Sequence, residues 1–378
     1  MFELALVAAA VWLLNLALPW RPWSTRERIE PAEAVAQEPV PIIGVLIPAR
    51  DEAAGIERTL RSVIAQTGIA RVVVVDDGST DGTGELAASV PGVEVVRGAA
   101  TPPGWSGKLW AQQQGLEALD TPLLLLLDAD IELDPGMVAA LYDKLSSDEL
   151  DQVSIMASLP AGSLPEKLLL PAFVYFFKQL YPFAWVNRTD RPFAAAAGGC
   201  VLLKREALVR VGGFAAWKNT LIDDCELASR IRAGGGAIWL GLSHGVRSLR
   251  RHPDFESLLD TVRRTAYTQL RHSPTLLVAV VLIMLLLFPL PPLALAFGLT
   301  TTSVPLIAAG GAGWLLMALG YLPQVRFSRL NPVWALVLPL SGLLFLRATV
   351  ESAARHHFGA GAGWKGRRYG PGQPNEKH

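Results

Sequence analysis

The sequence predicts an α/β domain with a mostly parallel, doubly wound sheet, flanked by apolar helices towards both ends of the chain. Short, unbroken apolar runs alternate with helix-length amphipathic segments, a pattern typical of strands buried on both faces. Several of these runs end in carboxylates. Hydrophobic residues make up 51% of the 378 residues and charged residues only 18%, so part of the chain is expected to lie in lipid. The mean hydropathy of +0.32 supports this expectation.

Charge and cysteine content exclude two classes of protein. The 34 basic residues balance the 34 acidic residues, so nucleic acid is not expected as a partner. The two cysteines, Cys200 and Cys225, form no Cys-x-x-Cys pair and cannot build a disulfide framework. The folded part is therefore expected in a reducing compartment.

Residues 1–22 are predicted to form an N-terminal transmembrane anchor. The run 2–20 is almost wholly apolar, with Glu3 as its one acid, and the first basic residue, Arg21, follows it. A cleaved signal peptide carries its positive charge before the apolar run and a small-residue cleavage site after it, so an uncleaved anchor is favoured. The arginines after the run then place the following domain in the cytoplasm by the positive-inside rule.

A Pro/Ala/Glu-rich linker is predicted over 23–40, and the sheet-containing domain over 41–274. The predicted strands are 42–47, 72–75, 93–96 and 123–127, with helices near 53–66, 80–89 and 107–119. Alternation of strand and helix favours a parallel sheet. Ligands of such sheets bind at the carboxyl ends of the strands, so the residues that follow each strand are the candidate site.

Asp128 and Asp130 follow a run of five leucines and form the strongest local signal. Positions two apart in a strand point the same way, so both carboxylates can face one hard cation beyond the strand end. Mg²⁺ or Mn²⁺, with phosphate oxygens completing the shell, suits such a pair. The alternative is a loop of solvated acids.

Two further strand ends carry polar motifs. Asp76 and Asp77 end the second strand, where a carboxylate can accept hydrogen bonds from a ribose or base; the alternative is a plain turn with a helix cap. The sequence GWSGK at 104–108 lacks the spacing of a phosphate-binding Walker loop, which disfavours a nucleoside triphosphatase. Lys108 at a helix start can still neutralise a diphosphate.

Asp223 and Asp224 open an amphipathic helix, and Gly198 and Gly199 precede it in the chain. One carboxylate of the pair can deprotonate an attacking hydroxyl; the alternative is that both acids only favour the helix N-terminus electrostatically. The glycines would let a ligand approach the backbone closely, or would only form a tight bend.

Residues 275–350 are predicted to form the C-terminal membrane segments. The stretches 276–299 and 304–322 are each long enough to cross a hydrocarbon core of about 30 Å. The shorter stretch 333–346 is expected to be interfacial or re-entrant, because a span there would place the basic tail 351–378 outside, against the charge rule. A fourth span is the open alternative.

Taken in order, these motifs resemble the GT-A-fold glycosyltransferases of family 2, over about residues 41–274. GWSGK at 104–108 and WKGRRY at 364–369 are most similar to the hopanoid-associated glycosyltransferases of bacteria. The resemblance implies a Rossmann-like GT-A catalytic domain, a UDP-linked nucleotide-sugar as donor, and Mg²⁺ or Mn²⁺. It also implies a multi-pass protein of the bacterial inner membrane with a cytoplasmic catalytic domain.

The resemblance implies donor-side roles for seven residues. Ala49, Asp51 and Glu52 would line the nucleotide pocket, and Asp77 would contact the uracil or ribose. Lys108 would lie near the nucleotide diphosphate. Asp128 and Asp130 would bind the sugar and the metal.

It implies roles for five more residues. Asp224 matches the catalytic base, and Asp223 stands where glutamate is commoner. Gly198 and Gly199 match the loop of the binding site on the acceptor side. Processive members carry Gln-x-x-Arg-Trp after the base, whereas VRRTAY stands at 262–267. Arg264 would contact the diphosphate, and processive polymer synthesis is disfavoured.

The predicted function is therefore inverting transfer of a sugar to a membrane lipid, isoprenoid or hopanoid-like. Two alternatives remain open from the sequence: a nucleotidyl or sugar-phosphate transferase on a similar sheet, and a catalytically inactive scaffold or sensor that binds a nucleotide-sugar. A transporter fits poorly, because the apolar stretches contain almost no charge.

Overall fold

The computed structural model describes residues 1–31, 42–220, 222–252 and 254–357, and the backbone of 362–364 and 367–369. Positions 32–40 of the predicted linker and most of the predicted basic tail lie outside the described residues. The chain forms two compact units. The sheet unit comprises Arg26–Leu159 and Phe183–Arg250, and the helical unit comprises Met1–Thr25, Pro160–Pro182 and the residues from Arg251 onward.

Eight strands of the described chain form one mixed sheet in the order β3-β2-β1-β4-β7-β6-β8-β5. These strands are β1 (Ile43–Ala49), β2 (Ile69–Asp76), β3 (Val93–Arg97), β4 (Leu123–Leu127), β5 (Ile131–Leu133), β6 (Gln152–Ser158), β7 (Cys200–Lys204) and β8 (Ile238–Ser248). Two further strands, β9 (Ala362–Trp364) and β10 (Arg367–Tyr369), pair with each other.

The α-helices of the described chain belong to both units. They are α1 (Phe2–Ala17), α2 (Ile56–Ile64), α3 (Thr83–Ala88), α4 (Gly107–Glu117), α5 (Met137–Ser147), α6 (Leu164–Leu180), α7 (Phe183–Val186), α8 (Arg205–Arg210), α9 (Asp223–Ala233), α10 (Phe255–Gln269), α11 (Pro274–Leu287), α12 (Leu290–Thr300), α13 (Val304–Phe327) and α14 (Leu338–His357). Short 3₁₀ turns cover Phe214–Trp217 and Pro332–Val337.

The predicted strands and the mostly parallel arrangement are confirmed in the first half of the sheet. β1 pairs in parallel with β2 and β4, and β2 pairs in parallel with β3. All five leucines of β4 are buried, which explains their continuous apolarity. β7 then runs antiparallel to both β4 and β6, while β6 and β8 are parallel.

The predicted N-terminal anchor is helical but shorter than a span. α1 contains 16 residues and ends at Ala17, two residues before Pro19 and the turns that follow it. A helix of this length rises about 24 Å, less than the hydrocarbon core of about 30 Å. Its small residues Ala5 and Ala8 are fully buried in the helical unit, and the Trp12 indole donates to the Leu287 carbonyl oxygen at 2.9 Å.

The predicted continuous span 276–299 is instead two helices. α11 and α12 meet at Phe288 and Pro289 with a bend of 41°. Prolines at 289, 291 and 292 lack the backbone N–H groups that would continue the hydrogen-bond ladder from α11, which accounts for the break.

Two segments of the described chain are long and apolar enough to cross a membrane: α13, and the 26-residue stretch Pro332–His357. The bent pair of α11 and α12 would add a third if it acts as one span. The prediction for 333–346 ended this apolar segment too early, since α14 continues to His357. By length and composition it meets the requirement for the alternative, a span.

The boundaries of the sheet unit differ from the predicted domain 41–274. α6 lies inside that range but belongs to the helical unit. Its apolar side chains pack among helices: the ring of Tyr175 lies 5.3 Å from that of Tyr321, and the Ser341 hydroxyl donates to the Leu168 carbonyl oxygen at 2.8 Å. The chain from Arg251, including α10, also belongs to the helical unit.

We expect Gly115→Ala to destabilise the sheet unit, because α4 packs closely on β1 and β2. A Cβ at position 115 would overlap Leu46 and lie 2.8 Å from Val75 Cγ2. Overpacking of this kind costs about 1–3 kcal/mol of unfolding free energy. Thermal unfolding of the purified chain measures the loss. Gly55→Ala, whose Cβ would find its nearest atom at 3.8 Å, is the control, and equal melting temperatures for the two variants would contradict the close packing.

Candidate functional site

The loops after β1 and β2 are held together by hydrogen bonds. Asp51 adopts a left-handed backbone conformation with φ of 50°, which is uncommon for a residue with a side chain. The Asp51 amide donates to Ser79 Oγ at 3.0 Å, and its carboxylate accepts from the Thr80 amide at 2.9 Å. The Glu52 amide donates to Thr83 Oγ1 at 2.8 Å. The two loops therefore form one edge of the sheet unit.

Asp77 is almost fully buried within this edge, with 3% of its surface exposed. Its amide donates to the carbonyl oxygen of Ala49, the last residue of β1, at 2.9 Å. The Arg50 guanidinium donates to the Asp77 carbonyl oxygen at 2.7 Å and lies 3.6 Å from its carboxylate. Sequence reasoning assigned no role to Arg50, although it stands between two predicted site residues.

Asp128 and Asp130 follow β4, as predicted. The Asp128 amide donates to the Gly199 carbonyl oxygen at 3.0 Å, which joins the end of β4 to the start of β7. Burial and, to a smaller extent, the carboxylates of Asp128 and Glu52 raise the pKa of Asp130 to about 6, while Arg250 opposes them. Three carboxylates thus act on one another at this strand end.

Lys108, in the first turn of α4, brings a positive charge to the acids. Its Nζ lies 2.8 Å from Asp128 Oδ1 and 3.6 Å from Asp223 Oδ2. Burial by itself would lower the pKa of Lys108, but the charges of Asp128, Asp223 and Asp224 raise it well above its usual value. The ammonium therefore stays protonated and links the end of β4 to α9. The cap of α4 fixes its position, because Ser106 Oγ accepts from the Leu109 amide at 3.3 Å.

Asp223 and Asp224 form the first turn of α9. Asp224 Oδ2 accepts from the Gly198 amide at 2.7 Å, and Oδ1 accepts from the Cys225 amide at 2.8 Å. Burial raises the pKa of Asp224 to about 6, and Asp223 adds to this rise, whereas Lys108 lowers it. A carboxylate held in place with a pKa near neutrality is suited to accept a proton.

The glycine pair permits close packing at the start of β7. A Cβ at Gly198 would lie 3.2 Å from both the Cβ and Oδ2 of Asp224, and a Cβ at Gly199 would lie 3.3 Å from Ile131 Cδ1. The absence of side chains therefore lets α9 and the loop after β4 approach the start of β7. Close approach of a ligand to the backbone, predicted from the glycines, stays a prediction.

A small cavity of about 10 Å³ lies against Asp223 and Asp224. Its lining side chains include Phe214 and Trp217, which are 1% and 2% exposed. Sequence reasoning did not single out these aromatic residues, because they lie in a 3₁₀ turn between the predicted motifs. Restricted solvent around a base strengthens its electrostatic interactions.

The pair Asp128 and Asp130 fits a divalent cation in charge and atom type. Burial and then repulsion by the neighbouring carboxylates raise the pKa of Asp130, and a cation would relieve that repulsion. No group of three or more His, Cys, Asp or Glu side chains in the described residues is arranged to hold a metal ion. A cation here would thus take one or two protein ligands and need further oxygens from phosphate or water, as Mg²⁺ commonly does.

The structure brings together most of the predicted site residues, all of them in the sheet unit. Arg264, predicted to contact a diphosphate, lies on α10 in the helical unit instead, so its role stays a prediction. Its neighbour Arg263 is 5% exposed and pairs with Glu256 and Asp260 of the same helix, each within 2.9 Å.

Residues 44–212 match the family described as Glycosyl transferase family 2, which confirms the predicted family resemblance for this segment. Among solved structures, a mannosyltransferase from Pyrobaculum calidifontis in complex with GDP-Man and Mn²⁺ is similar, with a TM-score of 0.56 and 20% sequence identity. The similarity covers 90% of this chain and 98% of that one, and it shows that the fold is the predicted α/β GT-A fold.

Two further proteins are similar over shorter stretches. A 4,4'-diaponeurosporenoate glycosyltransferase from Staphylococcus haemolyticus (strain JCSC1435) is 35% identical over 95 residues, and the aligned stretch spans about a quarter of each chain (24%). A glucosyl-3-phosphoglycerate synthase from Mycobacterium tuberculosis, solved with Mn²⁺, UDP-glucose and phosphoglyceric acid, is 19% identical. Its TM-score is 0.42, and the similarity covers 64% of this chain and 86% of that one.

We expect Asp51→Ala to lower the melting temperature, because alanine tolerates the left-handed conformation poorly and removes the acceptor of the Thr80 amide. The combined loss is about 1–3 kcal/mol. Asp51→Asn keeps a side-chain oxygen and tolerates the same conformation, so it should lose less. If the alanine and asparagine variants have the same melting temperature as the unchanged chain, Asp51 does not stabilise the contact between the two loops.

Proposed function

We propose that this protein is an inverting glycosyltransferase that moves a sugar from a nucleotide-sugar to a hydroxyl group of a membrane lipid. The observation that carries the proposal is the pairing of a positioned base with a charged donor edge. Asp224 is held by two backbone amides, while Lys108 joins Asp223 to Asp128. The match of residues 44–212 to family 2 supports the reaction class.

The donor side would be formed by the carboxyl ends of β1, β2 and β4. Asp77, held by Arg50, is placed to accept a hydrogen bond from a ribose or base. Asp128 and Asp130 would hold Mg²⁺ or Mn²⁺, which when bound supplies positive charge to the diphosphate. GDP-Man and UDP-glucose in the similar structures make purine- and pyrimidine-linked sugars both reasonable donors, and a UDP-linked sugar is our choice.

The reaction would be a direct displacement. The acceptor oxygen forms a bond to the anomeric carbon, the bond from that carbon to the phosphate oxygen breaks, and the nucleoside diphosphate leaves with the electron pair. Asp224 takes the proton of the acceptor hydroxyl, which balances the charge. Lys108 stabilises the charge that develops on the diphosphate. Because no second nucleophile acts, the configuration at the anomeric carbon inverts.

A lipid acceptor is supported by two observations. The described residues contain two segments that are apolar and long enough to cross a membrane, and a third if α11 and α12 act as one span. The similar S. haemolyticus protein is named for glycosylation of diaponeurosporenoate. We propose an isoprenoid-derived lipid, with a hopanoid as the first choice, in the bacterial inner membrane with the sheet unit in the cytoplasm. The apolar helix α1 would contribute to anchoring, although it is shorter than a span.

We expect Asp224→Asn to abolish transfer while leaving donor binding intact. Loss of a general base lowers turnover about 10²–10⁴-fold. The measurement is transfer and donor hydrolysis by detergent-purified protein with a panel of UDP- and GDP-linked sugars and isoprenoid lipids, with Mn²⁺ or with EDTA. Asp148→Asn, an exposed acid at the end of α5, is the matched control and should retain full turnover.

Two outcomes of this experiment would count against the proposal. Turnover by Asp224→Asn at the level of the unchanged protein would remove Asp224 from its role as base. Donor binding without turnover for every lipid acceptor would favour the inactive sensor, and release of a sugar phosphate would favour the sugar-phosphate transferase.

We expect transfer to rise with pH through about 6 and to level off above it. Burial and Asp223 raise the pKa of Asp224 to about 6, and the base acts only when deprotonated. Below that pH, kcat/KM should fall about tenfold per unit. Asp223→Asn removes a charge that raises the pKa of Asp224, so the acidic limb should move to lower pH. A limb that does not move would show that another group controls it.

A further inference from the structure

Lys108 forms an ion pair with a carboxylate that a divalent cation would also bind, and it lies where a diphosphate could attract its ammonium. Its ammonium contacts Asp128 Oδ1 at 2.8 Å and approaches Asp223 Oδ2 to 3.6 Å. Only 21% of the Lys108 side chain is exposed, against 36% for Asp128. The charges of Asp128, Asp223 and Asp224 all act on this one ammonium. A single positive charge thus balances part of a surplus of negative charge.

The same carboxylate cannot serve two cations equally well. A divalent cation binds a carboxylate oxygen at about 2.0–2.1 Å, closer than the ammonium lies now. Two positive charges on one carboxylate repel each other strongly in a partly buried site. Binding of a cation to Asp128 and retention of the Lys108 ion pair are therefore opposed.

We propose that Lys108 is a resident counter-ion that competes with the divalent cation for Asp128 and releases that carboxylate when a nucleoside diphosphate binds. This inference rests on the proposed function, because it needs a donor with a diphosphate. The diphosphate offers the ammonium a new anionic partner, so Lys108 loses nothing by leaving Asp128. Cation and nucleotide then bind cooperatively, and Lys108 carries the coupling between them.

Cooperativity of this kind is reciprocal and can be measured without turnover. The experiment is titration of the detergent-purified full chain with Mn²⁺, followed by electron paramagnetic resonance of free Mn²⁺, without nucleotide and with UDP or GDP. The proteins are the unchanged chain, Lys108→Met, Lys108→Arg and Lys144→Met. Lys144 pairs with Asp148 on α5 and is the matched lysine control.

We expect the unchanged chain to bind Mn²⁺ weakly alone and on the order of tenfold more tightly with nucleotide. Lys108→Met should bind Mn²⁺ more tightly than the unchanged chain when no nucleotide is present, and the gain from nucleotide should shrink. Lys108→Arg keeps the charge and should keep most of the coupling. Lys144→Met should behave as the unchanged chain does.

Two results separate failure of this inference from failure of the proposed function. Coupling and affinity that are the same in Lys108→Met as in the unchanged chain would overturn the role of Lys108 alone. No Mn²⁺ binding by the unchanged chain, with either nucleotide, would overturn the metal-dependent transferase and this inference together. Lys108→Gln, also neutral, carries the same expectation if the methionine variant does not fold.

Discussion

The position of β4 at the centre of the sheet is the constraint on which the candidate site depends. Its five buried leucines leave Asp128 as the first residue free to meet solvent and ligand. β1 on one side and β7 on the other fix the direction of that strand. The loops after β1, β2 and β4 and the glycine pair before β7 therefore meet at one end of the sheet, although they are far apart in sequence.

The candidate acids look alike in the sequence but have different electrostatic surroundings in the structure. Asp77 forms an ion pair with Arg50 and Asp128 forms one with Lys108, whereas Asp224 accepts hydrogen bonds from backbone amides. Asp130 keeps close carboxylate neighbours and a raised pKa. Each acid thus differs in the partner that offsets its charge, and this difference suggests separate roles in nucleotide contact, cation binding and proton transfer.

The sequence predicted the parts that depend on local pattern and missed those that depend on packing. β1 to β4 could be located because continuous apolarity marks doubly buried strands. β8 contains glycine, serine, histidine and arginine among its apolar residues, so its pattern did not indicate a buried strand. The candidate acids were predicted from strand ends and, for Asp223 and Asp224, from a helix start, but the contact of Lys108 with Asp128 depends on where α4 begins in space. The predicted range 41–274 included α6, which clusters with the helical unit, because an apolar helix has the same pattern in either environment.

The interleaving of the two units has a consequence for how the chain is made and divided. The helical unit is built from three separate stretches, and the middle one, 160–182, interrupts the sheet unit. During synthesis, α1 emerges long before α13. Because the small residues of α1 pack against α13, α1 can complete its packing only after most of the chain has been made. Cutting away both ends would not free a water-soluble enzyme either, since the fragment would still carry α6 with its apolar partners gone.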